Sequence, residues 1–256
     1  MVEPGTDGAT SSDVPDSSDV PDSSESQGRY GRGPAPSDAV RVRREAHKAD
    51  YDRSTIDAVL DAALVAHVGV VGADGRPVVI PTAFARIGNE VVLHGSVASR
   101  LLRTAASAPI CVTVTLLDAM VVARSTFQSS MRYRSVVVMG TPRAVTDPEE
   151  RVRALTALSE HLIPGRTAEV RPMSDVELRQ TAVLALALDE ASAKVSIGFS
   201  DDPDDDVGSS VWAGVVPLVT TWGDPVPAPD LSEDVDLPNS IRLLAQDDRF
   251  IAPESA

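Results

Sequence analysis

The stretch Val91-Val92-Leu93-His94-Gly95-Ser96-Val97-Ala98-Ser99-Arg100-Leu101-Leu102 decides most of the reading. An apolar, β-prone run meets a glycine and then a serine, after which Val97, Leu101, Leu102 and Ala105 recur at helical spacing. A strand over residues 91–95 therefore hands over to a helix predicted at 96–108, with Ser96 at the N-cap. The first turn of a helix leaves backbone N–H groups unpaired, and Gly95 allows a ligand close to the backbone. Ser96 and Ser99 add hydroxyl donors, while Arg100 adds a planar fork that can grip two oxygens of a phosphate. The same residues also describe an ordinary capped helix with a surface arginine, and spacing alone does not choose between the two.

Outward from this turn the punctuation is mostly that of strands. Short β-prone runs fall at residues 65–71, 77–86, 91–95, 110–117, 135–145 and 181–188. Gly72-Ala73-Asp74-Gly75 and Gly88-Asn89 between them carry hairpin chemistry, which implies antiparallel pairing. Helical patterns are few. One runs through Ile56, Val59, Leu60 and Ala63 and opens at Ser54 with Asp57; others are predicted at 96–108 and 148–161, and a short one opens at Ser174 with Glu177 as a capping box. Many short strands with few helices predict a mainly β fold with peripheral helices, a small closed or nearly closed antiparallel barrel.

Charge divides the chain into three. Of 256 residues, 38 are acidic and 23 basic, a formal charge of −15. Residues 1–38 hold eight acids against two arginines, and residues 200–256 thirteen against two, so the middle is nearly neutral. Asp-Val-Pro-Asp-Ser-Ser occurs twice over residues 13–24 and offers almost nothing to bury, so 1–38 reads as a disordered acidic arm. Asp201-Asp202-Pro203-Asp204-Asp205-Asp206 reads as an exposed acidic loop, and the Pro- and Asp-rich stretch 223–256 as a tail that wraps the surface or frays. The expected domain is 39–222. Acidic flanks repel nucleic acid and anionic membrane, so neither is an expected partner. A single Cys111 excludes a disulfide framework and a multi-cysteine metal site. The acidic opening Met1-Val2-Glu3-Pro4 is unlike a secretory signal, and no run reaches the roughly 20 apolar residues of a membrane span. The cytoplasm is the expected compartment.

A second polar stretch, residues 124–135, brings three arginines and Tyr133 to the mouth of an apolar strand. It suits a phosphate, a carboxylate or a ribityl chain, or serves as a solvated basic loop. Aromatics are scarce, at 4%, which makes Phe84, Phe127, Tyr133 and Trp212 the short list for stacking on a planar ligand or for filling the core. His47 and His161 sit in helical patterns and read as solvated. His67 and His94 sit in strand patterns near the turn.

Taken together these pieces resemble the pyridoxamine 5'-phosphate oxidase-like flavin-binding split barrels, in particular the branch related to nitroimidazole reductases. The resemblance is carried by Tyr51-Asp52-Arg53, Ala66-His67-Val68-Gly69, Val79-Ile80-Pro81-Thr82-Ala83-Phe84, Leu93-His94-Gly95-Ser96, Ser99-Arg100, Tyr133-Arg134-Ser135-Val136 and Val211-Trp212-Ala213-Gly214-Val215, in that order. It implies a six-stranded antiparallel split β-barrel, a homodimer, and one FMN per subunit in the cleft between subunits. It implies that Ser96, Ser99 and Arg100, with His94 and Gly95 beside them, meet the phosphate. The strand of Pro81, Thr82 and Phe84 would run along the isoalloxazine. Tyr133, Arg134 and Ser135 would lie near the phosphate and ribityl chain, and Trp212 would close the cleft from the partner subunit.

Relatives of this branch often carry two histidines and an asparagine where this chain has Gln128, Ser129 and Arg132. Chemistry that relies on those histidines is thereby removed, and Arg132 with Arg134 would recognise an anionic group. The expected activity is flavin-mediated two-electron transfer on a small molecule, with no convincing acid, base or nucleophile among the side chains. Two rivals remain open: a haem protein using the same cleft with His94 or His67 as axial ligand, and a non-catalytic flavin-binding or regulatory module. A deazaflavin, which also presents a phosphate and a planar ring, is an alternative to FMN.

Overall fold

The structure, a computed structural model, describes residues 33–251. Most of the acidic arm expected at 1–38 lies outside the described residues. The chain runs β1 (Ala49–Asp50), α1 (Arg53–Ala62), β2 (Val65–Val71), β3 (Pro77–Ile87), β4 (Glu90–Ser96), α2 (Arg100–Ala105), β5 (Ile110–Val122), β6 (Ser130–Gly140), β7 (Arg143–Ala144), α3 (Pro148–Leu162), α4 (Asp175–Gln180), β8 (Thr181–Ala187), β9 (Ala191–Ser196), β10 (Gly214–Pro217) and α5 (Asn239–Leu244). All pairings are antiparallel, in the order β1-β9-β6-β5-β2-β3-β4-β8-β7, with β10 added to β5. The fold is a mainly β split barrel with helices outside it.

The two hairpins signalled by the sequence form where glycine permits left-handed backbone: Gly75 at φ 77° between β2 and β3, and Gly88 at φ 56° between β3 and β4. The run 135–145 divides into β6 and β7. Between them stands Thr141-Pro142, and a proline cannot donate to a ladder.

Alternation builds two apolar layers. Leu60, Val68, Phe84, Leu93, Val112 and Val136 are among the residues that fill the barrel. Ala85, Val92, Val183 and Ala185, one residue out of phase on the same strands, instead meet Leu155 and Leu158 of α3. Each such large side chain contributes about 1.5–3 kcal/mol on burial. The expected C-terminal tail lies on the barrel: Trp222 packs on Phe250 at 5.7 Å between ring centroids, and the Ser240 backbone N–H donates to Glu169 at 2.9 Å.

Candidate functional site

β3 and β4 are partners for only four residues, Phe84–Ile87 against Glu90–Leu93. Beyond the Phe84–Leu93 pair they part. β4 goes on to pair residues 94–96 with β8, while β3 pairs residues 77–83 with β2 alone. One edge of β3 over residues 77–83 is therefore without a strand partner among the described residues, and its backbone groups need other partners. Pro81 and Thr82 stand on that stretch, and His94, Gly95 and Ser96 stand on the opposite bank.

The turn after β4 is tightly made. The Val97 N–H donates to Gln180 O at 3.0 Å, the Ser99 N–H to Ser96 O at 2.8 Å, and the Ala98 N–H to Ser96 Oγ at 3.2 Å. The N-cap is Ser99, whose Oγ accepts from the Leu102 N–H at 3.4 Å, so the helix begins at Arg100 rather than at the predicted Ser96. Ser96 loses the position because the ladder to Thr181 holds it as strand. A six-residue helix contributes little macrodipole. Anion affinity here comes from the Arg100 guanidinium, the two hydroxyls and the first-turn N–H groups of Arg100 and Leu101. Arg100 is exposed and makes no ion pair or hydrogen bond among the described residues. At Gly95 a Cβ would stand 2.9 Å from Leu102 Cδ1, so the close packing of turn on helix depends on glycine.

His94 is half-buried, and its Nδ1 is enclosed with no hydrogen-bond partner. Burial lowers its pKa and keeps the ring neutral. An enclosed, unpartnered ring nitrogen beside the split is a feature that a ligand's polar edge would complete.

Other expected site residues lie elsewhere in the chain. The Phe84 side chain is fully buried and meets the His161 ring at 5.5 Å, so it faces the core and offers a ligand only its backbone. Tyr133, Arg134 and Ser135 lie on β6, separated from β4 by three intervening strands, β5, β2 and β3. Arg134 is 9% exposed and grips Asp118 with Nη2–Oδ1 at 2.8 Å and Nε–Oδ2 at 3.0 Å. It also donates to Phe250 O at 3.3 Å, and Ser135 Oγ donates to Lys194 O. The Arg134 charge is thus met within the chain. Arg132 likewise donates to Gly198 O at 2.8 Å and stacks on Phe199. Trp212, 64% exposed, precedes β10 on the long β5–β6 arm. Within the single chain these residues do not come to the Ser96 turn.

Two readings need correction. His161 is not solvated: its Nε2 lies 2.7 Å from Ala63 O, and the ring packs on Phe84. The acidic loop is not wholly exposed. The Asp202 carboxylate is 2% exposed and accepts from the Arg124 N–H at 3.1 Å and from Nη1 at 2.7 Å. Its burial acts to raise the pKa, and the bonds from Arg124 and Ser200 outweigh it and lower it.

His67 is exposed on the outer face of β2, between Pro81 of β3 and Thr113 of β5, with Val65 and Gly69 beside it along the strand. That face carries exposed Val65, Val71 and Val79, at 50%, 59% and 63%. Asp118 went unnoticed in the sequence, although an acid inside an apolar strand run signals a buried cationic partner.

The family described as pyridoxamine 5'-phosphate oxidase matches residues 52–195. The chain belongs to that family. Within reach of it in structure is the flavocytochrome Anf3 from Azotobacter vinelandii, at 38% identity over 82% of this chain and 98% of that one, with a TM-score of 0.78. The FAD and haem binding protein from Mycobacterium smegmatis is 45% identical over 77% of this chain and 97% of that one, with a TM-score of 0.74. A protein described as a 5-nitroimidazole antibiotic resistance protein from Bacteroides thetaiotaomicron, at 22% identity over 57% and 86% and a TM-score of 0.50, shares the fold. A comparison with curated proteins gives no match. No helix among the described residues is long and apolar enough to cross a membrane.

Proposed function

We propose that this protein is a flavin-binding redox protein acting on a small molecule as a homodimer, with the cofactor held where β3 and β4 part. The carrying observation is that parting: a bare β3 edge faces a turn lined by Ser96, Ser99 and Arg100, with the unpartnered Nδ1 of His94 beside it. A flavin presents a phosphate at one end and a flat ring with a polar edge at the other, and the two banks match those needs. Similar proteins described as a flavocytochrome and as FAD and haem binding support the same reading. FMN and FAD share the phosphate that this turn would hold. The bound flavin supplies two-electron chemistry. The chain's own residues bind the phosphate, orient the ring along residues 77–83 and shield it from water.

The homodimer is supported by the outer face of β2 and β3, where exposed valines surround Pro81, and by Phe127 and Trp212, which at 90% and 64% exposure lack cover within one protomer. A second copy would bring the β6 and Trp212 residues to the split.

One further observation favours a haem as well. His67 stands exposed on a sheet face that also carries exposed Val65, Val71 and Val79, and a haem needs an accessible imidazole nitrogen beside apolar surface.

The test is the absorbance spectrum of the purified protein, with mass spectrometry of whatever it releases on heating. Flavin bands are expected, and Arg100→Ala should weaken flavin binding by about tenfold. A Soret band lost in His67→Ala, with the flavin retained, establishes the haem; its absence from the parent protein removes the haem and leaves the flavin. A colourless protein that binds no added flavin overturns the proposal.

A further inference from the structure

On the other side of the Ser96 turn lies a cavity of about 340 Å³, walled by α2, α3, α4 and the β7–β8 pair. Three arginines reach it from three different helices: Arg103 of α2, Arg151 of α3 and Arg179 of α4. No aspartate or glutamate lines it. Among the described residues neither Arg103 nor Arg179 makes a hydrogen bond or an ion pair, in a chain where most other arginines hold a carboxylate. Arg151 makes only long contacts to the carbonyls of Leu178, Val145 and Thr146, at 3.4–3.5 Å, and its Nε is enclosed without a partner. The remaining wall is mostly apolar, with Val97, Leu102, Ala106 and Leu184 among its residues, and carries two hydroxyl side chains, Thr146 and Thr181.

We propose that this cavity binds an organic phosphate, its phosphate on the three guanidinium groups and its carbon body against the apolar wall. Like charges gathered without counter-charges repel one another and are held together most readily by a ligand that neutralises them. Three forks exceed what one carboxylate can accept, whereas a phosphate or diphosphate has oxygens for all of them. The apolar wall excludes a bare inorganic ion as the best fit and calls for a ring or sugar beside the phosphate. The volume suits a mononucleotide-sized body, near the lower end of ligand pockets.

Two sources share this chemistry. Val97 belongs to both the turn and the cavity wall, so the nucleotide arm of a dinucleotide flavin whose first phosphate sits at Ser96–Arg100 would enter here; that source rests on the flavin reading. A free nucleotide would enter independently of it.

The experiment titrates the full-length protein, as purified, with ADP, FMN and FAD separately, and repeats the series with the double variant Arg103→Ala/Arg179→Ala and with Arg100→Ala. Arg103 and Arg179 are both exposed, so the double variant is expected to fold. The proposal expects the double variant to lose about tenfold or more in ADP or FAD affinity while FMN affinity stays unchanged. FAD that displaces ADP identifies the dinucleotide arm, and ADP bound alongside FAD identifies a free nucleotide. Double-variant affinities for ADP and FAD that equal those of the parent overturn the proposal. Loss of FMN binding in the parent would overturn the flavin site and leave the ADP result to judge the cavity.

Discussion

His161 ties three parts of the chain together. Its ring packs on Phe84 of β3, its Nε2 meets Ala63 O after α1, and its own carbonyl accepts from Arg249 near the C-terminus. Burial lowers its pKa, the bond to Ala63 opposes that in part, and Arg249 adds to the lowering. His94 is lowered by burial in the same direction. In the unfolded chain both titrate near the ordinary value of about 6.5. As pH falls below that value the unfolded state takes up protons that the folded state refuses, so stability declines. Urea midpoints measured at about pH 7.5 and about pH 5.5 should show the loss, and His161→Gln should shrink it by removing one of the two groups. A variant with an unchanged pH dependence would refute the assignment. Asp118→Asn should cost about 3 kcal/mol, because it leaves the Arg134 guanidinium enclosed without its counter-charge; denaturant unfolding measures it. The need for a partner was legible at Asp118 alone, and the identity of the partner at none of these residues. His161, Asp118 and Asp202 meet partners 98, 16 and 78 residues away, and local pattern carries no record of such distances.

At the scale of elements, what the sequence revealed was what local chemistry determines. β2 occupies the expected residues 65–71, and the capping box of α4 forms with Ser174 Oγ accepting from the Glu177 N–H while Glu177 reaches back to the Ser174 N–H. Ser174→Ala should destabilise α4 by about 1 kcal/mol, read as faster amide exchange over residues 175–180 with little change elsewhere. What stayed hidden depends on pairing. β9, Ala191-Ser192-Ala193-Lys194-Val195-Ser196, has small residues and weak alternation, yet it is almost wholly buried because β6 and β1 flank it. β10 has four residues and exists through its ladder to β5. The start of α2 shifted from Ser96 to Ser99 for the same reason, since the ladder to β8 claims Ser96 first. The candidate site was legible to the extent that it lies on one continuous segment, and the three-arginine cavity was not, because its arginines come from three helices.

Of the two courses that composition left open for the C-terminal segment, wrapping the surface or fraying, the structure shows the first. Residues 222–251 are rich in Pro and Asp, yet they return across the barrel and close contacts that the core leaves open. Phe250 O accepts from Arg134 at 3.3 Å, Arg249 donates to His161 O, Ser240 is fully buried against Glu169, and Trp222 packs on Phe250. Removing the segment would leave the polar groups of Arg134, Glu169 and the His161 carbonyl to water and expose the apolar surface under Phe250. Each lost hydrogen bond is worth about 1 kcal/mol net, so about 3 kcal/mol in total is a fair expectation. In a protein of this size that lowers Tm by about 6–12 °C. A chain ending at residue 221 should therefore melt lower by that amount in scanning calorimetry. Its affinity for FMN should stay as it was, because none of the contacts above touches the Ser96 turn and Arg134 keeps its ion pair with Asp118 when Phe250 is gone. An unchanged Tm would show that the segment lies on the barrel without holding it, and lost FMN affinity would show that it takes part in the site.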